Sequence, residues 1–309
     1  MVRHTMAIMR GPLFLELQRL IAKHGVPSGA SVAALPHVII GRSDVPTEPY
    51  PHIAGPMFSL VAQGGKQLSV EKQVFNYGAG EYLITTVALP VSGRVTQASK
   101  KVPFLGVGIA LRSKEIANLL FETGGSVLPQ TSATRGIGVS KLTDELVEPV
   151  VRLLRLLDKP IDLPVLAPSI EREILWRLLT GPRGAMVRQL GSTDGHTFQV
   201  SSALRWIQAN YTETLRVETL ARTAGMSVTS FHRHFREVTS MTPIQYQKHI
   251  RLQEARMRLV SGKDDVTTIG LSVGYESPSQ FSREYRRLFG TSPGRDGERL
   301  RRFATSPAA

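Results

Sequence analysis

Two short stretches near the C-terminus carry side chains suited to recognising a nucleic acid. The members of the first stretch are Thr229, His232, Arg233 and Arg236, and those of the second are Ser279, Gln280, Arg283, Arg286 and Arg287. Hydroxyl, imidazole, amide and guanidinium groups hydrogen-bond base edges, and cations nearby neutralise phosphates. The chemistry that these residues predict is recognition of double-stranded DNA, without any bond being made or broken.

Residue sets that would support catalysis are missing from the sequence. Cysteine is absent, which excludes disulfides, thiolate metal sites and cysteine nucleophiles. The early histidines show no HxH or HExxH spacing, being His4, His24, His37 and His52. No GxSxG motif marks a serine nucleophile, and Gly106-Val107-Gly108 lacks the third glycine of a dinucleotide loop and predicts a turn. We expect no metal site, no cofactor and no enzymatic activity.

An internal repeat contains both candidate stretches. Positions that precede the turn in the first copy recur 49 residues later in the second copy. Positions that follow the turn recur 50 residues later. The paired positions are Gly225 and Gly274, Ser227 and Ser277, Phe231 and Phe281, Arg233 and Arg283, Phe235 and Tyr285, and Pro243 and Pro293. Glycine can end one helix in the left-handed conformation, and serine can cap the next. Each copy therefore predicts a helix-turn-helix unit.

The second unit has further start signals for its second helix. Pro278 occupies the favoured first helical position, and Ser277 with Gln280 has the spacing of a capping box. A Gln280 side chain that caps its own helix cannot also contact a base.

A helix over residues 244–261 is predicted between the units, with Leu252, Ala255 and Leu259 on one face. Its length of roughly 27 Å would allow two recognition helices to enter successive major grooves about 34 Å apart. The basic residues on and after this helix are expected at the solvated surface, where they attract phosphates: Lys248, Arg251, Arg256, Arg258, Arg299, Arg301 and Arg302.

Composition supports a polyanion as partner. The chain has 309 residues, a formal net charge of +13 and 41% hydrophobic residues, which is enough to build two domain cores. The sign of the charge favours nucleic acid or anionic lipid. Polar residues interrupt the apolar stretch after the basic N-terminus, and nothing approaches a membrane span. We expect a soluble cytoplasmic protein with no membrane partner.

Upstream of the repeat the pattern changes twice. Residues 13–24 predict an amphipathic helix, and residues 35–111 have the short apolar runs and frequent turns of an all-β sandwich. Leucines recur at helical spacing over 142–157, where they could pack on the sandwich or pair with a second chain. Another helix is predicted over 169–179, and residues 184–196 show little periodicity and predict a linker.

The C-terminal region, residues 198–303, resembles the AraC/XylS family of bacterial transcription factors. The most specific stretch is VGYESPSQFSREYRRLFGTSP, Val273 to Pro293, and TAGMSVTSFHRHFREVTSMTP resembles it in the first copy. The resemblance implies that bases are contacted by Thr229, His232 and Arg233 in the first helix and by Pro278, Ser279, Gln280 and Arg283 in the second. Gly270 stands where the family usually has alanine, and Arg216 stands where a small capping residue is common.

The stretch FSLVAQGGKQLSVEKQVFNYGAGEYLITTVALPVSGRV resembles the β-rich N-terminal domain of one branch of that family. The implied fold is α+β and multidomain: a cupin-like sandwich with flanking helices, followed by an all-α domain of two helix-turn-helix units joined by a long helix. We place a sensing or dimerisation domain at 1–190 and the DNA-binding domain at 198–303. The helix-turn-helix units are placed at 217–239 and 266–289.

The resulting prediction is a sequence-specific DNA-binding regulator that performs no chemistry. Its site residues are Thr229, His232, Arg233, Arg236, Pro278, Ser279, Gln280, Arg283 and Arg287. Promoter DNA is the expected partner, and RNA polymerase, a small effector and a second copy of the chain are candidate partners. Two alternatives stay open at this point. One is a cupin-type enzyme carrying a DNA-binding module, and the other is a sequence-indifferent architectural protein, suggested by the net charge.

Overall fold

The computed structural model describes residues 11–123, 135–192, 196–262 and 264–305. The chain divides into two compact units. The first contains the residues up to Phe198 other than Pro51–Ile53, and the second contains those from Gln199 other than Glu237–Thr239. His4 lies outside the described residues.

Strands dominate the first half of unit 1, and helices flank them in sequence. The elements are α1 Pro12–His24, β1 Ser28–Leu35, β2 Val38–Ser43, β3 Tyr50–Ala54, β4 Met57–Gln63, β5 Gly65–Val70, β6 Gln73–Gly78, β7 Glu81–Thr85, β8 Leu89–Gln97, β9 Phe104–Ala110, α2 Ser113–Glu122, β10 Ile137–Lys141, α3 Asp144–Arg155, α4 Leu163–Thr180 and α5 Gly184–Gly191. A single turn of 3-10 helix, Leu156–Asp158, follows α3.

The strands form two sheets. The larger has the order β1-β2-β9-β4-β7-β10, and the smaller has the order β3-β8-β5-β6. In the larger sheet Phe58 of β4 pairs with Ile109 of β9 on one side and Ile84 of β7 on the other, and both pairings are antiparallel. Strand order jumps along the chain, so neighbouring strands are brought together by crossovers and not by hairpins alone.

The core of unit 1 lies between the larger sheet and the helices. Alternation along β4 puts Phe58, Leu60 and Ala62 on the helix-facing side, and all three are buried. Helix α1 supplies Leu17 and Ile21 to the same core. Helix α3 adds a further set, namely Leu146, Val147, Val150, Val151, Leu153 and Leu154. The leucine-rich segment therefore packs on its own sandwich.

Three local predictions in unit 1 are corrected. Residues 184–191 form helix α5 instead of a linker, because Met186 and Val187 are buried by tertiary packing that a weak periodicity does not reveal. Helix α4 starts earlier than predicted and includes Pro168 in its interior. The Gly106-Val107-Gly108 stretch lies inside strand β9 and is not a turn. A Cβ on Gly108 would lie 2.7 Å from Ile39 Cγ1, so close strand packing requires this glycine.

The regular secondary structure described in unit 2 is helical, apart from the Pro51–Ile53 segment of β3. Its helices are α6 His196–Ala209, α7 Val217–Thr223, α8 Val228–Thr239, α9 Pro243–Ser261, α10 Val266–Ser272, α11 Pro278–Phe289 and α12 Pro293–Thr305. Helix α9 has 19 residues, which corresponds to about 28 Å. The spacer helix predicted between the two units of the repeat is confirmed.

Helix α9 provides the core for both halves of the repeat. In the first half, Phe231 and Phe235 of α8 are buried, and the Phe235 ring meets Tyr246 of α9 at 5.9 Å between centroids. In the second half, α9 packs against helices α10 and α11 through a cluster of buried side chains: Leu252, Ala255, Leu259, Ile269, Val273, Tyr275, Phe281 and Tyr285. The aromatic positions that the repeat pairs, Phe231 with Phe281 and Phe235 with Tyr285, therefore face the core.

The predicted fold class is confirmed: an α+β chain with a β-rich N-terminal part carrying helices and an all-α C-terminal part. Within the described residues, no helix combines the length and the apolar character needed to cross a bilayer.

Candidate nucleic-acid interface

The turns of the two units have the backbone geometry that their sequences predict. Gly225 has a φ of 65° and Gly274 a φ of 93°, so both use conformations that favour glycine. Ser227 Oγ then accepts a hydrogen bond from the Ser230 amide at 3.3 Å, and Ser277 Oγ accepts one from the Gln280 amide at 3.4 Å. Both recognition helices, α8 and α11, are therefore capped at their N-termini.

The candidate residues of α8 lie on its exposed side. Thr229, His232, Arg233 and Arg236 are all exposed, whereas Phe231 and Phe235 on the opposite side are fully buried. Arg233 Nη2 lies 3.1 Å from His234 Nε2. The face combines hydroxyl, imidazole and guanidinium groups within two turns of helix. This arrangement could contact base edges and phosphates together.

The candidate residues of α11 follow the same pattern with one difference. Pro278, Ser279, Arg283 and Arg287 are exposed. Among the described residues, no carboxylate forms an ion pair with Arg283 or Arg287. Their guanidinium groups are thus available to a polyanion, and Arg283 occupies the repeat position of Arg233.

Gln280 differs from the other candidates because it is partly buried and its side chain is engaged. Gln280 Nε2 donates to Glu284 Oε1 at 3.3 Å, one turn further along α11. The capping box predicted for Ser277 and Gln280 is therefore only half formed: the serine caps the helix, but the glutamine side chain does not reach back. A complete capping box is found elsewhere, between Thr242 and Gln245 at the start of α9.

Glu284 lies at the centre of a polar cluster beneath α11. Its carboxylate accepts hydrogen bonds from Lys248 Nζ at 2.7 Å and from the Tyr275 hydroxyl at 3.0 Å. Burial alone would raise the pKa of Glu284, but the hydrogen bonds from Lys248, Tyr275 and Gln280 outweigh it and hold that pKa below its usual value. Glu284 is therefore an ionised carboxylate whose charge is offset by Lys248, and it holds the Gln280 side chain by a hydrogen bond.

The solvated role expected for the arginines of α9 is wrong for two of them. Arg256 is 7% exposed, and its Nε donates to Asp296 Oδ2 at 2.8 Å. The guanidinium of Arg251 donates to backbone carbonyl oxygens, those of Tyr211 and Gly274 among them. Sequence reasoning missed both because their partners lie 23 or more positions away. Lys248 also has a partner, Glu284.

Asp296 is completely buried and joins three elements. Its carboxylate accepts from Arg256 of α9, from the Tyr285 hydroxyl of α11 at 2.9 Å and from Arg299 Nη2 at 2.8 Å. Burial would raise the pKa of Asp296, yet the hydrogen bonds from Arg256, Tyr285 and Arg299 hold it below its usual value. This cluster fixes recognition helix α11 to the spacer and to α12. Arg301 donates to the Leu259 carbonyl, and the side chain of Arg302 lies outside the described part of the chain.

The two helix-turn-helix units differ in how their first helices begin. Asp265 caps α10 by accepting from the amides of Thr267 and Thr268 at 2.8 and 3.0 Å. Arg216 precedes α7 and makes no side-chain cap. Gly270, the other expected departure from the family pattern, packs tightly: a Cβ there would lie 2.8 Å from Phe281 Cδ1.

Comparison with known families accounts for both parts of the chain. Residues 34–186 match the model described as the AraC-type transcriptional regulator N-terminus, and residues 220–299 match a helix-turn-helix domain. The chain belongs to the AraC/XylS family. The family resemblance inferred from the repeat is thereby confirmed.

Curated relatives within the family are named as transcriptional activators. The chain is 35% identical over 94 residues to the HTH-type transcriptional activator RhaS of Pectobacterium carotovorum, covering 30% of this chain and 34% of that protein. It is 34% identical over 136 residues to the RCS-specific HTH-type transcriptional activator RclR of Escherichia coli, covering 44% of this chain and 42% of that protein. The chain thus spans about a third of the length of the RhaS relatives it matches.

A solved structure with the same arrangement of elements is ToxT from Vibrio cholerae. ToxT bound to (E)-4-(8-methylnaphthalen-1-yl)but-3-enoic acid aligns with a TM-score of 0.55 and 9% identity, covering 85% of this chain and 98% of ToxT. An apo form of a ToxT variant aligns with a TM-score of 0.53 and 8% identity, covering 86% of this chain and 98% of that protein. At these identities the likeness concerns the fold.

The alternative of a metal enzyme gains no support from side-chain geometry. In the ranges that the structure describes, no group of three or more His, Asp or Glu side chains is placed to hold a metal ion.

Proposed function

We propose that this protein is a sequence-specific DNA-binding transcription regulator that reads two successive major grooves with helices α8 and α11. The observation that carries the proposal is the repetition of one interface. Each recognition helix is capped by serine, buries its aromatic side and exposes an arginine at the same repeat position, Arg233 or Arg283. Arginine to guanine is the commonest specific base contact.

The proposed division of labour keeps residues 1–190 as a sensing or dimerisation domain and 198–303 as the DNA-binding domain. The helix-turn-helix units at 217–239 and 266–289 belong to the latter. Base contacts are assigned to Thr229, His232, Arg233, Pro278, Ser279 and Arg283, and phosphate contacts to Arg236 and Arg287. Gln280 contributes only if it leaves Glu284, since its amide is already engaged.

The test is selection of a random duplex library on the full-length protein at about 150 mM salt. Arg233→Ala and Arg283→Ala are compared with Arg295→Ala, which removes an exposed arginine of α12 and so controls for net charge. We expect a site with two short elements about one helical turn apart. Each recognition-helix variant should relax one element at a cost of about 1–3 kcal/mol, while Arg295→Ala should leave both preferences intact.

The architectural alternative gives a different result in the same experiment. A sequence-indifferent protein would enrich no site, and all three variants would weaken binding to unrelated duplexes equally. This outcome would overturn sequence-specific reading by α8 and α11. We also propose that the protein acts in the cytoplasm and is not an enzyme. Turnover of a substrate, or a stoichiometric bound metal in the purified protein, would overturn the proposal that it is not an enzyme.

The N-terminal domain is proposed to bind a small organic acid. ToxT, which shares the fold, has been solved with a butenoic acid derivative and with an unsaturated fatty acid. In this chain Lys66 shares one face of β5 with Leu68 and Val70, both of which are buried, and pairs across strands with buried Tyr77. Burial lowers the pKa of Lys66, and no described carboxylate forms an ion pair with it. A ligand carboxylate would supply the missing counter-charge.

Thermal denaturation with an unsaturated fatty acid and with the matching alcohol tests this assignment. The acid alone should raise the melting temperature, and Lys66→Met should abolish the rise, whereas Lys101→Met, at an exposed position, should retain it. Equal effects of acid and alcohol would contradict a role for the lysine.

Activation through RNA polymerase and a homodimer formed by residues 1–190 complete the proposal. The activator names of the curated relatives support the first. A selected site that is repeated with two-fold symmetry would support the homodimer. The homodimer would be contradicted by a single copy of the site together with a monomeric mass of the protein in light scattering.

A further inference from the structure

A short loop between α6 and α7 is fixed to the middle of spacer helix α9. Gln247 Nε2 donates to the carbonyl oxygens of Tyr211 and Glu213 at 3.0 and 2.7 Å. Arg251 donates from Nε to the Tyr211 carbonyl at 2.6 Å and from Nη2 to those of Thr212 and Glu213 at 3.2 and 3.0 Å. The loop belongs to the first half of the repeat, because α6 is joined to the α9 residue Tyr246 through Gln208.

The same guanidinium also contacts the second helix-turn-helix unit. Arg251 Nη1 donates to the carbonyl oxygen of Gly274, the glycine of the second turn, at 2.7 Å. Two neighbouring bonds reinforce this connection, since Arg258 donates to the Tyr211 hydroxyl at 2.9 Å and to Ser272 Oγ at 2.8 Å. A guanidinium has five donors in a fixed fork, so one side chain can serve both halves at once.

The two halves also touch directly at Gly274. A Cβ added to Gly274 would lie 2.6 Å from the Thr212 carbonyl oxygen and 2.9 Å from Thr212 Cα. At the corresponding Gly225 the nearest atom, Gln199 Nε2, would be 3.7 Å away. Both glycines have a positive φ, but only Gly274 also needs to lack a side chain because of a neighbouring backbone.

We infer that Arg251, together with the contact between Gly274 and Thr212, fixes the orientation of the two helix-turn-helix units and so sets the spacing between the two DNA elements that the protein accepts. Arg251 is a positioning residue, since its donors are used on backbone carbonyls of the protein. The inference rests on the proposed paired reading of DNA. It adds that the permitted spacing is decided by this junction, in addition to the length of α9.

The experiment measures affinity as a function of spacing. The site selected by the wild-type protein is synthesised with its two elements moved apart or together by one and two base pairs, and each element is also tested alone. Insertion of one base pair moves an element by about 3.4 Å and turns it around the duplex axis. The wild-type protein should lose roughly tenfold or more per base pair, comparable with a mismatched base pair.

Arg251→Met should flatten this dependence to less than about threefold, while binding to each isolated element stays at the wild-type level. Arg251→Lys should behave similarly, because a lysine cannot provide the same fork. Gly274→Ala and Gly225→Ala form a matched pair: both introduce backbone strain, but only the first should alter the spacing dependence. These variants keep the test decisive if Arg251→Met does not fold.

The possible results separate this inference from the proposed function. A steep spacing profile shared by wild type, Arg251→Lys and Gly274→Ala would overturn the role of the junction while leaving paired reading intact. Absence of any two-element site for the wild-type protein would overturn the proposed function itself. Equal flattening by Gly225→Ala and Gly274→Ala would assign the effect to general loss of turn geometry and would also overturn the role of the junction.

Discussion

Replacing Asp296 by asparagine should destabilise the C-terminal unit strongly, although the side chain changes little in size. Asp296 is fully buried, and Arg256, its partner at 2.8 Å, is 7% exposed. Asparagine can still accept hydrogen bonds, but the Arg256 charge would then be buried without a counter-charge. Breaking a buried pair in this way costs about 3–5 kcal/mol. An exposed pair is worth at most about 1 kcal/mol, which sets the scale for a control.

Urea denaturation followed by tryptophan fluorescence measures the effect. The chain has two tryptophans, and Trp206 lies on α6 in the second unit, so a Trp176→Phe background reports on that unit. Glu254→Gln is the control, because it removes the partly exposed partner of Arg258 on the same helix. A loss below about 1 kcal/mol for Asp296→Asn, similar to the control, would refute the assignment of a strongly stabilising buried charge pair.

The pH dependence gives a second test of the same carboxylate. Its pKa is lowered in the folded protein, so its contribution is fully present above the unfolded value, about 3.9. The contribution is lost as the pH falls through the lower folded value. Asp296→Asn should therefore reduce the acid sensitivity of the second unit below about pH 4. An unchanged acid limb in urea titrations would show that other carboxylates dominate it.

Two further substitutions follow from local geometry. Gly270→Ala should destabilise unit 2 by about 1–3 kcal/mol, because the new Cβ would lie 2.8 Å from Phe281 Cδ1. Gly294→Ala is the control: its nearest atom would lie at 3.8 Å, so it should be neutral or stabilising by up to about 1 kcal/mol. Urea midpoints in the reverse order would contradict this. Arg216→Ser should stabilise the first helix-turn-helix unit by about 0.5–1 kcal/mol, since it supplies the cap that α7 lacks, and an unchanged thermal midpoint would refute that gain.

The parts of the interface that could be predicted from sequence are those governed by short-range rules. Gly225 and Gly274 have positive φ, and Ser227 and Ser277 cap the following helices, because turn chemistry depends on a few adjacent residues. The repeat predicted arginines at matching positions of the two units, Arg233 and Arg283, and both are exposed. The repeat doubled the information by showing the same pattern twice.

The parts that could not be predicted depend on partners distant in sequence. Arg251 and Arg256 occupy polar positions of an amphipathic helix, and such positions usually face solvent. Their hydrogen-bond partners include Tyr211 and Asp296, each 40 positions away, which no local pattern reveals. Helix α5 was missed for a similar reason, since tertiary packing of a short segment overrides weak periodicity.

Comparison of the two copies of the repeat explains why buried charges surround the second copy. Phe235 of the first recognition helix corresponds to Tyr285 of the second, and both are fully buried. The tyrosine adds a hydroxyl that must find an acceptor in the core. Asp296 provides it at 2.9 Å, and the buried carboxylate in turn needs Arg256 as a counter-charge. The polar cluster thus accompanies one aromatic difference between the repeats.

This interpretation ranks two substitutions that affect the same cluster. Tyr285→Phe restores the residue type of the first copy and removes one donor, while Asp296 keeps Arg256 and Arg299. The loss should be about 1–3 kcal/mol, typical of a hydrogen bond to a charged group, and smaller than that for Asp296→Asn. Urea denaturation in the Trp176→Phe background, followed by the fluorescence of Trp206, gives both values. A larger loss for Tyr285→Phe would mean that the hydroxyl, and not the ion pair, holds α11 in place.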